Sequence, residues 1–275
     1  MITKINISIL GCFPLNKSNI FTSELSKECK IFSLHVKLKG KAEAKWMQSY
    51  RPTEVKHYSK GKYFSINFTI FLVSFSDSSV VAPGCHVYPF TFQFPYQGLP
   101  SSFSGCYGKI LYTLEARLGR SMRIDKKDST KLNFVSKADL HSDPLLMTPQ
   151  HESKDKKMHV FSSGTVAMDV NLEKTGFIQG EGLKVVAYIQ NNSSREIKPK
   201  YCVYRKHSFF AKGKRKVSTN DLCKEVGEPI PPSSNANVTK VITIPPDMEP
   251  SILNCNIIKV EYRLRVSSWT LATAM

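Results

Sequence analysis

The alternation of apolar and polar residues is the feature that most constrains what this chain can fold into. Within residues 81–118 it occurs in two runs, which are formed by Tyr88, Phe90, Phe92 and Phe94, and by Ile110, Tyr112, Leu114, Ala116 and Leu118. Alternate residues of an extended chain share one face, so each run predicts a strand with one apolar face. Pro95 ends the first strand because proline gives a sheet no N–H group, and Gly98 and Pro100 form the connection.

The same alternation recurs along the rest of the chain, in segments 32–38, 64–72, 183–189 and 258–266. Strands with one apolar and one polar face are typical of antiparallel sandwiches. No segment keeps a period of 3.6 residues, so we expect at most one short helix. The sequence therefore predicts an all-β protein built from antiparallel, immunoglobulin-like β-sandwich lobes.

A change in composition divides the chain into two parts. Residues 136–159 lose the alternation and gather proline, serine, histidine and charged residues, which indicates a linker. We predict an N-terminal domain over 1–140, a linker over 141–158 and a C-terminal domain over 159–270. Each domain has an ordinary size for one sandwich.

The charge balance favours an acidic partner. Lysine and arginine number 39 against 22 acidic residues, a net charge of +17. Nucleic acid, anionic lipid and acidic or phosphorylated peptides all fit this charge. The densest cluster is Lys212, Lys214, Arg215 and Lys216. It could contact anions, but we favour a solvated hairpin turn in which Gly213 supplies the bend.

Other patterns indicate a cytoplasmic chain. No apolar run approaches the roughly 20 residues of a membrane span, and the N-terminal residues lack a cleavage site typical of signal peptides. We therefore expect the seven cysteines to be reduced and mostly buried thiols.

None of the patterns that could form a catalytic, metal-binding or nucleic-acid-binding site is strong. Cys85 and His86 are adjacent on a predicted strand and so point to opposite faces, and Cys202 with His207 lies in no known nucleophile motif. His141, His151 and His159 have spacings that match no metal-binding pattern. We predict no catalytic residues, no cofactor and no metal. The aromatic face of residues 88–94 could stack on single-stranded nucleic acid, but without interleaved basic residues a sandwich core is favoured, and we predict no nucleic-acid partner.

Motifs in both halves resemble the arrestin domain-containing proteins, the α-arrestin family. The first half carries P-G-x-H-x-Y-P-F-x-F-x-F-P over 83–95, L-P-S-S-F-x-G over 99–105 and G-K-I-x-Y-x-L-x-A over 108–116. The second half carries K-T-G-F-x-x-G-E-x-L over 174–183, F-x-A-K-G-K over 209–214 and S-I-L-N-C-x-I-I-x-V-E-Y-x-L over 251–264. The resemblance makes the segment 81–118 a strand pair of an arrestin N-lobe.

This resemblance implies a non-catalytic trafficking adaptor. Such adaptors bind the cytoplasmic tails of membrane receptors or transporters and recruit HECT-type ubiquitin ligases, so that cargo undergoes ubiquitin-linked endocytosis and sorting. The resemblance also implies a cytoplasmic protein that is recruited to the plasma membrane and endosomes. Because of the positive charge, we expect an anionic membrane surface as a further partner. Alternatives are a plain protein-interaction module and a basic nucleic-acid-binding sandwich.

The chain departs from the family pattern in three places. About ten residues that the family has after Ser23 are missing, the family continues beyond Val266 into a further strand and tail, and no P-P-x-Y ligase motif occurs. We therefore expect a truncated isoform or an imperfect gene model, and the ligase contact does not carry over.

Overall fold

Strands dominate the computed structural model, which describes residues 2–10, 16–25, 28–72, 79–94, 98–120, 124–136, 143–157 and 164–270. These residues form seventeen strands and one short 3-10 turn, Pro144–Met147. The all-β prediction is confirmed. None of the helices among the described residues has the length and apolar character of a membrane span.

The first lobe contains a six-stranded sheet and a two-stranded sheet. Its strands are β2 (Asn16–Leu25), β3 (Cys29–Tyr50), β4 (Thr53–Leu72), β5 (Ser79–Val81), β6 (Gly84–Gln93), β7 (Phe103–Gly105), β8 (Gly108–Arg120) and β9 (Lys126–Leu132). The larger sheet runs β4-β3-β8-β7, with β5 also on β3 and β9 also on β8, and β2 pairs with β6. All these pairings are antiparallel.

The predicted alternation matches the observed burial in this lobe. Val36 and Leu38 of β3 and Ile110 and Tyr112 of β8 are fully buried, while Lys37 and Leu111 between them are partly exposed. Phe94 packs against Phe134, with 4.6 Å between the ring centroids. One face of the larger sheet therefore forms the core.

The two strands of segment 81–118 do not pair with each other, so the predicted strand pair was wrong. β6 pairs with β2, and β8 lies between β3 and β9. The apolar faces of β6 and β8 instead meet across the core, since Phe94 contacts the ring of Tyr112 at 5.6 Å between centroids. Alternation identifies a buried face but not the neighbour in the sheet.

The second lobe contains a four-stranded sheet and a five-stranded sheet. Its strands are β10 (Gln150–Lys157), β11 (Gly164–Leu172), β12 (Gly176–Ile178), β13 (Gly182–Ser193), β14 (Ile197–Ala211), β15 (Lys214–Val226), β16 (Ser234–Thr243) and β17 (Ile258–Thr270). One sheet runs β10-β11-β13-β16, and the other runs β12-β1-β17-β14-β15, where β1 is Ile2–Leu10.

Two features depart from the predicted domain limits. β10 lies within the predicted linker 141–158 and pairs along its whole length with β11, so this part of the stretch is an edge strand. β1 falls within the predicted first domain but pairs with β17 and β12 of the second lobe. For β10, backbone pairing is the reason, because a strand can be held by its ladder without an apolar pattern of its own. For β1, the alternating Ile5, Ile7 and Ile9 indicate a strand but not the lobe in which it finds its partners.

The two lobes meet through an aromatic contact. Phe209 of β14 is fully buried, and its ring lies 5.6 Å from that of Tyr107 and 6.2 Å from that of Phe103. Beside it, the hydroxyl of Tyr63 donates a hydrogen bond of 2.9 Å to the Sγ atom of Cys255. Most buried residues of both lobes form one continuous cluster, and Ile31, Leu34 and Leu118 form a second, smaller cluster in the first lobe.

Candidate anion-binding cleft

The predicted basic cluster lies at the hairpin that joins β14 and β15. Lys212 and Gly213 form the connection, with φ angles of 50° and 72°, and Ala211 pairs with Lys214 on either side. Two central residues with positive φ define the type I′ turn that suits a tight hairpin, and Gly213 meets that demand at no steric cost. The interpretation of this cluster as a hairpin turn therefore matches the structure.

The four predicted basic residues do not converge on one site. Lys212 and Lys214 are exposed at the turn. Arg215 lies on the outer sheet face, where its Nη2 atom donates to Ser208 Oγ at 2.9 Å. Lys216 lies on the opposite face of β15, with its Nζ atom 5.4 Å from the ring centroid of Tyr107. Neighbouring residues of a strand point to opposite faces, so the sequence cluster is divided by the pleat.

Arg215 instead belongs to a basic cleft on the outer face of the five-stranded sheet. This cleft, here called the arginine cleft, has a volume of about 420 Å³ and is lined by Tyr204, Lys206, Arg215, Val217, Thr219, Arg263 and Arg265. β14, β15 and β17 supply these residues in register, since Tyr204 lies opposite Arg263 and Lys206 lies opposite Thr219. Directly opposite residues share one face, which brings the side chains together.

The cations of the cleft outnumber the carboxylates beside them. Glu261 accepts from Lys206 Nζ at 3.1 Å and from Arg263 Nη2 at 2.9 Å. Asp221 accepts from Arg265 Nη2 at 3.2 Å but also pairs with Lys224 at 3.1 Å. The guanidinium of Arg265 lies 4.6 Å from the ring centroid of Tyr204, a distance at which the cation and the ring attract each other.

Burial makes this excess charge costly. Burial lowers the pKa of Lys206, and the nearby Arg263 and Arg215 lower it further, although Glu261 opposes them. Burial alone would raise the pKa of Glu261, but the hydrogen bonds from Arg263 and Lys206 outweigh it, and the pKa is lowered. The Nε atoms of Arg263 and Arg265 are buried without a hydrogen-bond partner among the described residues. An anion in the cleft would offset this excess of positive charge.

Sequence reasoning missed Lys206, Arg263 and Arg265 as site residues. The signal was present in β17, where Lys259, Glu261, Arg263 and Arg265 alternate with buried residues. The alternation shows that these charges share one face. It does not show that Lys206 and Arg215 come from two other strands to the same place.

Of the thiols that the sequence raised for nucleophilic chemistry, Cys202 lies in unsuitable surroundings, and the side chain of Cys85 is not among those described. Cys202 and His207 are five residues apart on β14, so they lie on opposite faces. Burial raises the thiol pKa of Cys202, and Asp221 adds to this effect. Burial likewise raises the thiol pKa of Cys223. A raised pKa keeps a thiol protonated and poorly nucleophilic.

The histidines and the aromatic residues that the sequence also raised as candidates mostly pack against, or hydrogen-bond to, neighbouring residues of the fold. Burial lowers the pKa of His207 to about 4, and its ring packs edge-on to Phe103 at 5.0 Å. His151 hydrogen-bonds Asn171 at 2.7 Å, whereas His141 and His159 fall outside the described residues. Tyr88 and Phe94 pack against core residues, which confirms the core interpretation for these two; the side chains of Phe90 and Phe92 are not described.

Comparisons with known proteins match each of the two lobes to a known domain family. Residues 21–141 match the model of the arrestin (or S-antigen) N-terminal domain, and residues 162–270 match that of the arrestin C-terminal domain. The human arrestin domain-containing protein 4 is 31% identical over 88% of this chain and 60% of its own length. Its mouse counterpart is 36% identical over 68% of this chain and 46% of its own length. The human thioredoxin-interacting protein is 26% identical over 88% of this chain and 63% of its own length. This chain thus spans less than two thirds of each of these relatives.

Proposed function

Because this chain belongs to the arrestin domain-containing family, we propose that it is a non-catalytic adaptor that binds cytoplasmic parts of membrane proteins. The adaptor role of arrestin-like lobes supports the proposal. The arginine cleft is the observation that carries it, because a partly buried excess of cations calls for an acidic partner.

An extended acidic tail fits the surroundings of the cleft. β15 is the outermost strand of the five-stranded sheet, so one side of its backbone faces no other described strand. An extended peptide can add to such an edge through main-chain hydrogen bonds, and its side chains then supply specificity. Arg215, Val217 and Thr219 of β15 line the cleft itself. A carboxylate or phosphate on alternate residues of the added peptide would face Arg215 of β15 and Arg265, whose guanidinium extends across β14 to Asp221 of β15.

We also propose the consequences of this binding for the cargo. Cargo held by the adaptor is directed to ubiquitin-linked endocytosis and sorting, and the adaptor follows its cargo to the plasma membrane and endosomes. The family resemblance supports this step. Recruitment of HECT-type ubiquitin ligases is part of the same proposal.

Charge substitution in the cleft tests the proposal. The double variant Arg215→Gln/Arg265→Gln removes two charge-assisted donors, each worth about 1.5–3 kcal/mol, so we expect at least a tenfold loss of affinity for a labelled acidic peptide. The matched control is Lys157→Gln/Lys184→Gln, which removes the same charge from exposed positions of the four-stranded sheet. Fluorescence anisotropy measures the affinity, and thermal unfolding verifies that both variants fold.

Cell experiments extend this test to cargo. Proximity labelling with the unsubstituted chain should recover transmembrane receptors or transporters together with endosomal proteins, and the cleft variant should lose the former. Equal peptide affinity in the cleft and control variants would contradict the cleft as the binding site. Recovery of RNA-binding proteins, with salt-sensitive binding of single-stranded oligonucleotides, would favour the nucleic-acid alternative.

A further inference from the structure

A second basic surface covers the outer face of the large sheet in the first lobe. We call it the lysine face; it comprises Lys37, Lys39, Lys41 and Lys45 of β3, Lys56, Lys60 and Lys62 of β4, Lys109 of β8, and Lys127 and Lys131 of β9. Strand register places them together, since Lys41 lies opposite Lys62, and Glu43 lies opposite both Lys60 and Lys109. β9 adds Lys131 to the same face, since Lys131 lies opposite Thr113, which in turn lies opposite Lys39. The alternate residues of β3, such as Val36 and Leu38, are buried in the core.

Few carboxylates neutralise the lysine face. Glu115 pairs with Lys39 at 2.6 Å, and Glu43 pairs with Lys41 at 3.0 Å and with Lys109 at 3.6 Å. Among the described residues, no carboxylate forms an ion pair with Lys45, Lys56, Lys60 or Lys62. The hydrogen bond from Lys41 is the main cause of the lowered pKa of Glu43, and the more distant Lys60 contributes. The bond from Lys39 likewise lowers the pKa of Glu115, helped by Lys127 and Lys37. The face therefore has a strongly positive field.

The lysine face is broad and open. Four neighbouring strands span about 14 Å at the usual strand spacing, and the ten residue steps from Lys37 to Met47 of β3 span about 34 Å. Beyond the pairing with β8, which stops at Ala44, the β3–β4 hairpin continues to Tyr50. Its outer face adds Met47 and Tyr58, which are 51% and 41% exposed. Lysine stems beside exposed methionine and tyrosine suit a water–lipid boundary.

We propose that the lysine face docks on a membrane leaflet rich in anionic phospholipids. The headgroups meet the lysine ammonium groups, and Met47 and Tyr58 reach toward the acyl boundary. Lipid fits better than nucleic acid because flexible lysines supply the charge, whereas nucleic-acid surfaces use arginine forks and stacked aromatic rings. The arginine found on the described part of this face, Arg117, is already paired with Asp125 at 2.5 Å.

This contact is separate from cargo binding in the arginine cleft. It involves the first lobe and lipid alone, so it can be measured on the purified chain without any cargo. Failure of lipid binding would leave the cleft proposal standing, and failure of the cleft would leave the lipid contact standing.

Vesicle sedimentation tests the docking. The probe is vesicles of phosphatidylcholine with one third phosphatidylserine, and the variant is Lys45→Gln/Lys56→Gln/Lys60→Gln, three exposed positions. A lysine near an anionic surface is worth about fivefold in partitioning, so the triple variant should bind about 100-fold more weakly. The matched control Lys154→Gln/Lys157→Gln/Lys184→Gln removes the same charge from exposed positions of the second lobe. The variant Tyr58→Ala should weaken the binding that persists at high salt.

Each outcome decides the proposal. Selective loss in the lysine-face variant, with the control near the unsubstituted chain, supports docking through this face. Equal loss in both triple variants, or no binding of the unsubstituted chain to anionic vesicles, overturns it. A single-stranded oligonucleotide that binds in a lysine-face-dependent way while vesicles do not bind would also overturn it. Thermal unfolding should be unchanged in both triple variants, because surface substitutions of this kind cost little stability.

Discussion

Truncation of Phe209 should weaken the contact between the lobes more than any change on the outer face of the same strand. Its ring is fully buried and touches Phe103 and Tyr107 of the first lobe. An alanine would leave a cavity at a place where Gly105 and Gly108 have no side chains to fill it. Buried phenylalanine-to-alanine changes cost about 3–5 kcal/mol, and the loss of two aromatic contacts places Phe209→Ala near the upper end.

The measurement is urea unfolding followed by circular dichroism. A loss of about 5 kcal/mol with a slope of about 3 kcal/mol per molar urea lowers the midpoint by about 1.7 M. The neighbouring Phe210→Ala is the control, since Phe210 lies half-buried on the outer face beside the guanidinium of Arg215. That variant should lose less than half as much. Equal losses for Phe209→Ala and Phe210→Ala would refute the reasoning that the contact between the lobes depends on the inner ring.

Three further predictions concern titration, close packing and thiol reactivity. The folded-state pKa of His207 is about 4 and lies below its unfolded value of about 6.5, so the unfolded state binds more protons between these pH values. Stability should therefore fall as pH drops from 6.5 to 4, and urea midpoints for His207→Gln should show a smaller fall. Gly108→Ala should cost about 1–3 kcal/mol in urea unfolding, because its Cβ would lie 2.8 Å from the backbone oxygen of Glu43 and 2.9 Å from the ring of Phe209. Cys202→Ala and Cys223→Ala should leave the fast phase of thiol labelling at pH 7 unchanged, since burial raises both pKa values; loss of that phase in either variant would contradict this.

Local pattern predicted several of the strands that carry the cores. In β8 and β17, apolar residues recur at every second position, and burial follows that pattern almost residue by residue. The class and the two-lobed plan therefore follow from residues that are neighbours in sequence. Strand order does not, because β6 and β8 look like a hairpin pair in sequence yet pair with β2 and β3.

Among the strands that the alternation did not predict, β9 and β10 have no apolar face at all. β9 has the sequence KKDSTKL and β10 has the sequence QHESKDKK. Each lies at the side of a sheet and is held by the ladder to one neighbour, β8 or β11. Backbone hydrogen bonds carry no signature in side-chain hydrophobicity, so polar edge strands read as loops.

For the candidate sites too, features formed by neighbours in sequence could be predicted, and features formed by residues from distant strands could not. The type I′ turn at Lys212 and Gly213 could be predicted because two adjacent residues define it. The arginine cleft could not, since Arg215, Arg263 and Lys206 meet only through the register of three strands. A run of basic residues in sequence was thus a poor guide to where positive charge gathers in space.

The position of β1 sets the order in which this chain can assemble. Ile2 lies opposite Ser267, so β1 finds its antiparallel partner more than 250 residues further along the chain. Closing a loop of that length costs about 5 kcal/mol of chain entropy, and contacts so distant in sequence form slowly. During synthesis, the first lobe can fold while β1 waits for β17 to leave the ribosome. The five-stranded sheet that holds the arginine cleft is therefore completed late, by a strand from the opposite end of the chain.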